Sequence, residues 1–393
     1  MWRILVFAFL LATSAKASIA PEKQTSSSSG IPSYFPRSVL IDHKVWFWEL
    51  IFSQYTSQHL VIHDSIFPHV VIDVIDLDAI RLQQGHLAEL DDRKLLIRFL
   101  DRYRDAARKF KARGSRAALL SPMEKRVYEA YAVEEETLRH LLSGQAEIRS
   151  QRGLKDRFDE AVKRAHLYLP HMERVFREHK VPIELTRLPF VESMFNIHAR
   201  SKVGASGVWQ FMPATARRFM IVNQSIDERN SPWKATRGAA RLLAHNYSHL
   251  QSWPLAITAY NHGLNGMRRA VDQLKSRDME QIIRRYRSPS FGFASRNFYT
   301  EFLAVLKIYN DRYVHLKDQV KPLDVVGIRL PKAVAMPQLV QKTPLTQQML
   351  RDLNPCLSNG YFHSHSQRSI PKHYEIVVPK HMAGKVEKAL HRL

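Results

Sequence analysis

Apolar residues recur at helical spacing through much of this 393-residue chain. Phe158, Ala161, Val162, Ala165 and Leu169 fall on one face, which predicts an amphipathic helix with that face buried. Ile183, Leu185, Leu188 and Val191 form a second stripe, entered through Pro182 and loosened by Pro189 within it. Ser231-Pro232 reads as a cap and first helical position, with Ala235, Ala239, Leu242 and Leu243 facing inward. Trp253-Pro254 opens another helix that stops at Gly263, and Asn265 is the expected cap of the next one.

Two stretches break this pattern. His59-Leu60-Val61-Ile62-His63-Asp64 alternates with the period of an extended segment. Beyond about residue 318, Val325, Val326, Ile328 and Leu330 predict a strand, Leu345, Met349, Leu350 and Leu353 a helix face, and Tyr374, Ile376 and Val378 a second strand. Trp46, Phe47, Trp48, Leu50 and Ile51 make an aromatic-rich patch, read as helix packing, with glycan stacking as the alternative. The expected fold class is therefore mainly α, with a helical N-terminal region over 39–180 and a small α+β unit over 319–393.

Composition narrows the picture. Met1–Ala17 has Arg3, an apolar run over 4–12 and Ala15-Lys16-Ala17, which together have the form of a cleaved secretory signal. Residues 18–38, with Ser26 to Ser29 and Gly30 at their centre, read as a flexible linker. A periplasmic or secreted location follows as the expectation, with no cysteine at the cleavage point to carry a lipid. The single cysteine, Cys356, excludes a disulfide framework and is expected to be structural. A formal charge of +22 steers the chain toward polyanions. No zinc-finger spacing or RNA-binding aromatic signature is present, so an anionic cell-envelope surface is expected as partner and nucleic acid is not. No cofactor is expected. His59, His63 and Asp64 lack a metal-ligating spacing, and no metal is expected at them.

The densest chemistry lies around Glu192. Glu192-Ser193 ends one helical stripe, and Gly204 to Ala216 (Gly-Ala-Ser-Gly-Val-Trp-Gln-Phe-Met-Pro-Ala-Thr-Ala) turns on two glycines and opens a helix at Pro213. A carboxyl held against Phe195, Trp209, Phe211 and Met212 is desolvated, and desolvation favours the protonated form a general acid requires.

These residues resemble the signature of the soluble lytic transglycosylase family: Glu-Ser, a spaced serine (Ser201), then Gly-Ala-x-Gly-x-Trp-Gln-x-Met-Pro-x-Thr-Ala with Gln210 as its glutamine. Ala259-Tyr260-Asn261-His262-Gly263 is similar to a second family element, with His262 in place of the usual alanine. The resemblance covers roughly 181–315 and is closest to the membrane-bound lytic murein transglycosylase D branch. A third element, Glu-Thr-x-x-Tyr-Val, is degenerate here, with Ala294 and Phe298 at its glutamate and tyrosine positions. The resemblance implies a lysozyme-like catalytic domain over 181–318 acting on peptidoglycan glycan strands. It implies cleavage of the β-1,4 bond between N-acetylmuramic acid and N-acetylglucosamine, with closure of a 1,6-anhydro ring. It also implies Glu192 as acid and then base, with Ser201, Gln210, Met212, Tyr260 and Asn261 lining the cleft. The acids between Ser193 and Lys275 are Asp227, Glu228 and Asp272, and none sits in a motif. The alternatives are a goose-type-lysozyme-like muramidase that hydrolyses the same bond, and a non-catalytic wall-binding scaffold. The C-terminal unit resembles a degenerate LysM-type module.

Overall fold

A computed structural model describes residues 30–84, 92–113, 120–318, 320–363 and 368–392. The signal segment 1–17 and the linker up to residue 29 lie outside the described residues. Helix α1 (Val39–Ser53) starts where the Ser38 hydroxyl accepts the Ile41 amide. Strands β1 (His59–Asp64), β2 (Val71–Asp76) and β3 (Ile148–Arg152) form an antiparallel sheet in the order β2-β1-β3. Ile62 of β1 stands opposite Asp73 on one side and Ser150 on the other. The region expected to be helical thus also holds a sheet, built on the alternating segment from His59. It shares a hydrophobic core with α2 (Leu77–Gln84), α3 (Asp92–Arg113), α4 (Pro122–Tyr131) and α5 (Glu135–Leu142).

The long helix α6 (Lys155–Glu178) buries Phe158, Ala161, Val162, Ala165 and Leu169, as their spacing requires. Next come a 3-10 turn (Ile183–Arg187), α7 (Leu188–Ser193), α8 (Pro213–Ala216), α9 (Pro232–Leu250), α10 (Trp253–His262), α11 (Leu264–Leu274), α12 (Met279–Arg285) and α13 (Phe293–Ile308). Pro189 does not bend one long helix. It occupies the first turn of the short α7, where its missing N–H is harmless. Ser231 caps α9 by accepting the Lys234 amide. Asn265 does not cap α11, which begins one residue earlier with Gly263 at its cap, so Asn265 falls inside the first turn.

One hydrophobic core runs from Phe35 through α1 and α6 to Tyr309, so the N-terminal helix and the helices around Glu192 share an interior. Phe47, Trp48 and Ile51 are buried in it and α1 packs along α13, which makes them packing residues. Truncating Trp48 to alanine would cost about 3–5 kcal/mol. The last part of the expected linker is also packed. Phe35 meets Phe302 edge-on at 5.2 Å, and the Tyr299 hydroxyl donates to the Pro36 carbonyl at 2.9 Å. Phe35 is buried in the core with Tyr34 edge-on beside it, which gives this stretch apolar surface to pack.

The C-terminal unit has its own core. It comprises β4 (Val325–Arg329), β5 (Val334–Ala335), α14 (Met336–Lys342), α15 (Gln347–Leu353), β6 (Ser369–Ile370), β7 (Glu375–Pro379) and α16 (Ala383–His391). Strand β4 pairs antiparallel with β7, Ile328 opposite Ile376. Cys356 is buried there, its Sγ 3.4 Å from the Tyr374 hydroxyl, and burial pushes its thiol up to about 11, as suits a structural residue. The unit docks on the 225–237 stretch through the Asp227 amide to Cys356 carbonyl bond (2.8 Å), the Ser358 amide to Ser225 carbonyl bond (2.9 Å), and the Arg237–Glu375 ion pair (2.8 Å).

Candidate active site

Glu192 is the penultimate residue of α7, and the chain leaves that helix abruptly. Met194 and Phe195 both take left-handed backbone angles, φ of 51° and 53°. Ser193 pins this end to the following loop, its hydroxyl donating to the Val208 carbonyl at 2.8 Å. The loop is held from several sides. The Gly207 amide bonds the Ala199 carbonyl at 2.9 Å, and the Ser206 hydroxyl donates to Asn230 Oδ1 at 2.6 Å. Gly207 is obligatory. Its φ is +77°, and a Cβ there would lie 1.8 Å from the Arg229 carbonyl oxygen. Arg229 in turn grips the loop by donating to the Gly204 and Phe211 carbonyls at 2.7 and 3.1 Å.

Phe195, Trp209 and Phe211 are buried, whereas Met212 is 41% exposed. The Trp209 indole donates to Thr236 Oγ1 at 2.9 Å. Tyr260, near the end of α10, donates its hydroxyl to the Trp209 carbonyl at 2.8 Å, joining the second motif to the first. Its phenol is raised well above the usual range, by burial first and then by the Glu192 carboxyl beside it. Burial likewise pushes Glu192 up to about 8, with the Glu301 carboxyl adding to the effect. Glu192 keeps part of its surface open and makes no hydrogen bond to the described residues. It is therefore a carboxylic acid that retains its proton at neutral pH and has its oxygens free.

The other expected cleft residues divide. Gln210 (φ +47°) spends its amide nitrogen on the Gly207 and Ala199 carbonyls at 2.8 and 3.2 Å, which leaves its oxygen uncommitted. Ser201 accepts the Ala205 amide at 2.9 Å and shapes the turn through Gly204. Asn261 is exposed, with its Oδ1 accepting from Ser295 at 2.8 Å. His262 packs its ring edge-on against Phe291 at 5.1 Å.

Glu301 is the residue that local sequence reasoning missed. It lies on α13, which packs against α7, and burial pushes it up to about 8 against the pull of Arg149. Its signal was available: it is the only acid in the otherwise apolar and neutral-to-basic helix Phe293–Ile308. Arg149 on β3 stands over the Phe293 ring at 3.6 Å. It lines a cavity of about 650 Å³ together with Arg104, Arg296 and Phe291. The degenerate third element is accounted for by packing. Phe298 is a core residue, and Tyr299 reaches Pro36 rather than the cleft.

The acids closer in sequence are committed elsewhere. Asp227 takes a two-pronged grip from Arg229 at 2.9 and 2.7 Å, Glu228 pairs with Lys234 at 3.1 Å, and Asp272 is exposed. His63 and Asp64 are structural. His63 Nδ1 lies 2.9 Å from the Asp64 carbonyl oxygen. The Asp64 carboxylate accepts from Tyr131 and from the amides of Ile66, Phe67 and Glu147.

Glu192 and Tyr260, the latter bonded to the Trp209 carbonyl, thus sit together in a mainly helical fold. Residues 174–283 match the family model of the transglycosylase SLT domain, and the chain carries that domain. It is distantly homologous to the membrane-bound lytic murein transglycosylase D of Escherichia coli (strain K12), 28% identical over 179 residues that make up 45% of this chain and 36% of the relative. A putative tributyltin chloride resistance protein of Alteromonas sp. (strain M-1) is 33% identical over 116 residues, 29% of this chain and 56% of that one. The matched part thus spans about a third to a half of these relatives. An inactive mutant of the lytic transglycosylase Slt from Pseudomonas aeruginosa aligns with a TM-score of 0.32 at 19% identity, over 57% of this chain and 38% of that one.

Proposed function

We propose that the protein is a peptidoglycan lytic transglycosylase of the periplasm or cell exterior, with Glu192 as its catalytic acid and base. One observation carries the reading: Glu192, inside the matched domain, is buried enough that desolvation pushes its carboxyl up to about 8, and it makes no hydrogen bond to the described residues. In the first half-step Glu192 gives its proton to the glycosidic oxygen between N-acetylmuramic acid and N-acetylglucosamine, and the C1–O bond breaks. In the second its carboxylate takes the proton of the muramic 6-hydroxyl, whose oxygen closes on C1, so no water is consumed. Tyr260 and the loop it braces hold the sugar in register, with the exposed Met212 and Asn261 and the free oxygen of Gln210 facing it.

Hydrolysis would require a second, ionised carboxylate as base or nucleophile. Glu301 is the carboxyl near Glu192, and its raised pKa keeps it neutral, which favours the anhydro route over a muramidase. A reducing-end assay on digested sacculi tests this. Solubilisation without new reducing ends is expected, and a new reducing end for each bond cleaved would assign the protein to the hydrolases.

A further inference from the structure

Away from the cleft, three side chains from separate elements converge on one point. His43 lies on α1, His69 in the turn between β1 and β2, and Glu134 at the cap position of α5. His43 Nδ1 is 3.3 Å from one carboxylate oxygen of Glu134, and His69 Nε2 is 3.6 Å from the other. The two imidazole rings sit 4.5 Å apart, and one donor atom from each residue fits within 4.8 Å of the others. Zinc bonds to nitrogen and oxygen of about 2.0–2.2 Å place tetrahedral donors roughly 3.2–3.6 Å from one another. Each nitrogen stands at that spacing from one of the two Glu134 oxygens, so the carboxylate would ligate through both oxygens or turn slightly to present one.

Hydrogen bonding alone does not explain the cluster. The His69 side chain is 3% exposed; its Nε2 reaches only the Glu134 carboxylate at the long distance of 3.6 Å, and its Nδ1 has no hydrogen-bond partner. An imidazole buried in that state costs free energy that a metal bond would offset. Glu134 makes no capping bond to α5, so its carboxylate is turned to the histidines instead. The nearby cation Arg284 is occupied by Glu136 and Glu280, both at 2.8 Å. His43 and Glu134 are part-exposed, which leaves an entry path and room for a water as fourth ligand.

We propose that His43, His69 and Glu134 bind a Zn²⁺ ion that ties α1 to the sheet unit. Two imidazoles with one carboxylate select a borderline ion of this kind over Mg²⁺ or Ca²⁺. The ion would join α1, which belongs to the core around α13, to the β1–β2 turn and the start of α5, which belong to the sheet's own core.

The test uses the chain freed of any affinity tag, stripped with chelator, and titrated with Co²⁺ and then Zn²⁺. One tight Co²⁺ per chain is expected, with the visible bands of a low-coordinate nitrogen–oxygen site that Zn²⁺ abolishes. Zn²⁺ should also raise the melting temperature by about 5 °C. His69→Ala should lose both effects. Glu134→Gln, which preserves side-chain size at a part-exposed position, should remain folded and bind at least tenfold more weakly. If His69→Ala does not fold, Glu134→Gln decides alone. A wild-type chain without a tight Co²⁺ site, or variants that keep wild-type affinity, would overturn the proposal.

Discussion

The carboxyl of Glu301, on the helix that packs against α7, acts electrostatically on Glu192 and helps to hold it protonated. Neither residue makes a hydrogen bond to the described part of the chain, so their relation is one of charge and shared burial. Burial pushes Glu301 itself up to about 8, so its charge acts on Glu192 only as pH rises into the range where the two carboxyls titrate.

Replacing Glu301 with glutamine removes the charge that appears there as pH rises. The pKa of Glu192 should fall, and the alkaline limb of the pH–rate profile should move to lower pH while the rate near pH 6 stays close to wild type. A profile unchanged in position, measured on solubilised sacculi, would show that Glu301 does not act on the acid.

The same burial has a stability consequence with a definite sign. An unfolded glutamate ionises near 4.5 and Glu192 near 8, so between these values the folded state holds more protons than the unfolded one. Stability from this group is therefore present at low pH and lost as pH rises through the window. Glu192→Gln should melt higher than wild type, by more at pH 8 than at pH 5, with a difference on the order of 1 kcal/mol after allowance for partial exposure. Equal melting shifts at both values would mean that the carboxyl is not desolvated.

The loop that carries Gln210 depends on Gly207. Gly207→Ala must move the Arg229 backbone and hold a left-handed angle, two costs that together reach about 2–4 kcal/mol. Reduced activity should accompany the lower melting temperature, because Arg229 also fixes the Gly204 and Phe211 carbonyls. An alanine variant with wild-type melting and turnover would contradict this view of the loop.

Local sequence carried many of the helices and strands. Pro232 after Ser231 and the face from Phe158 to Leu169 are short-range signals, and the structure realises them directly. The motif around Glu192 was legible because its residues lie close together in the chain. What was not legible depends on distance. Glu301 reaches the site only because α13 packs on α7, and Asp227 is removed from consideration only by the fold-dependent grip of Arg229. The packing of Phe35 was hidden beside a serine-rich run, since it needs Phe302, far away in the chain. His43, His69 and Glu134 likewise have no shared sequence spacing.

On the proposed mechanism, Glu192 supplies and recovers the proton in a cleavage that closes a ring without water. Mass spectrometry of sacculi digested by wild type and by Glu192→Gln tests it most directly. Wild type should release muropeptides lighter by one water than their hydrolytic counterparts, and the folded variant should release almost none, a loss of ~10²–10⁴ or more in rate. Muropeptides of full hydrolytic mass from wild type, or unimpaired release by Glu192→Gln, would contradict the account.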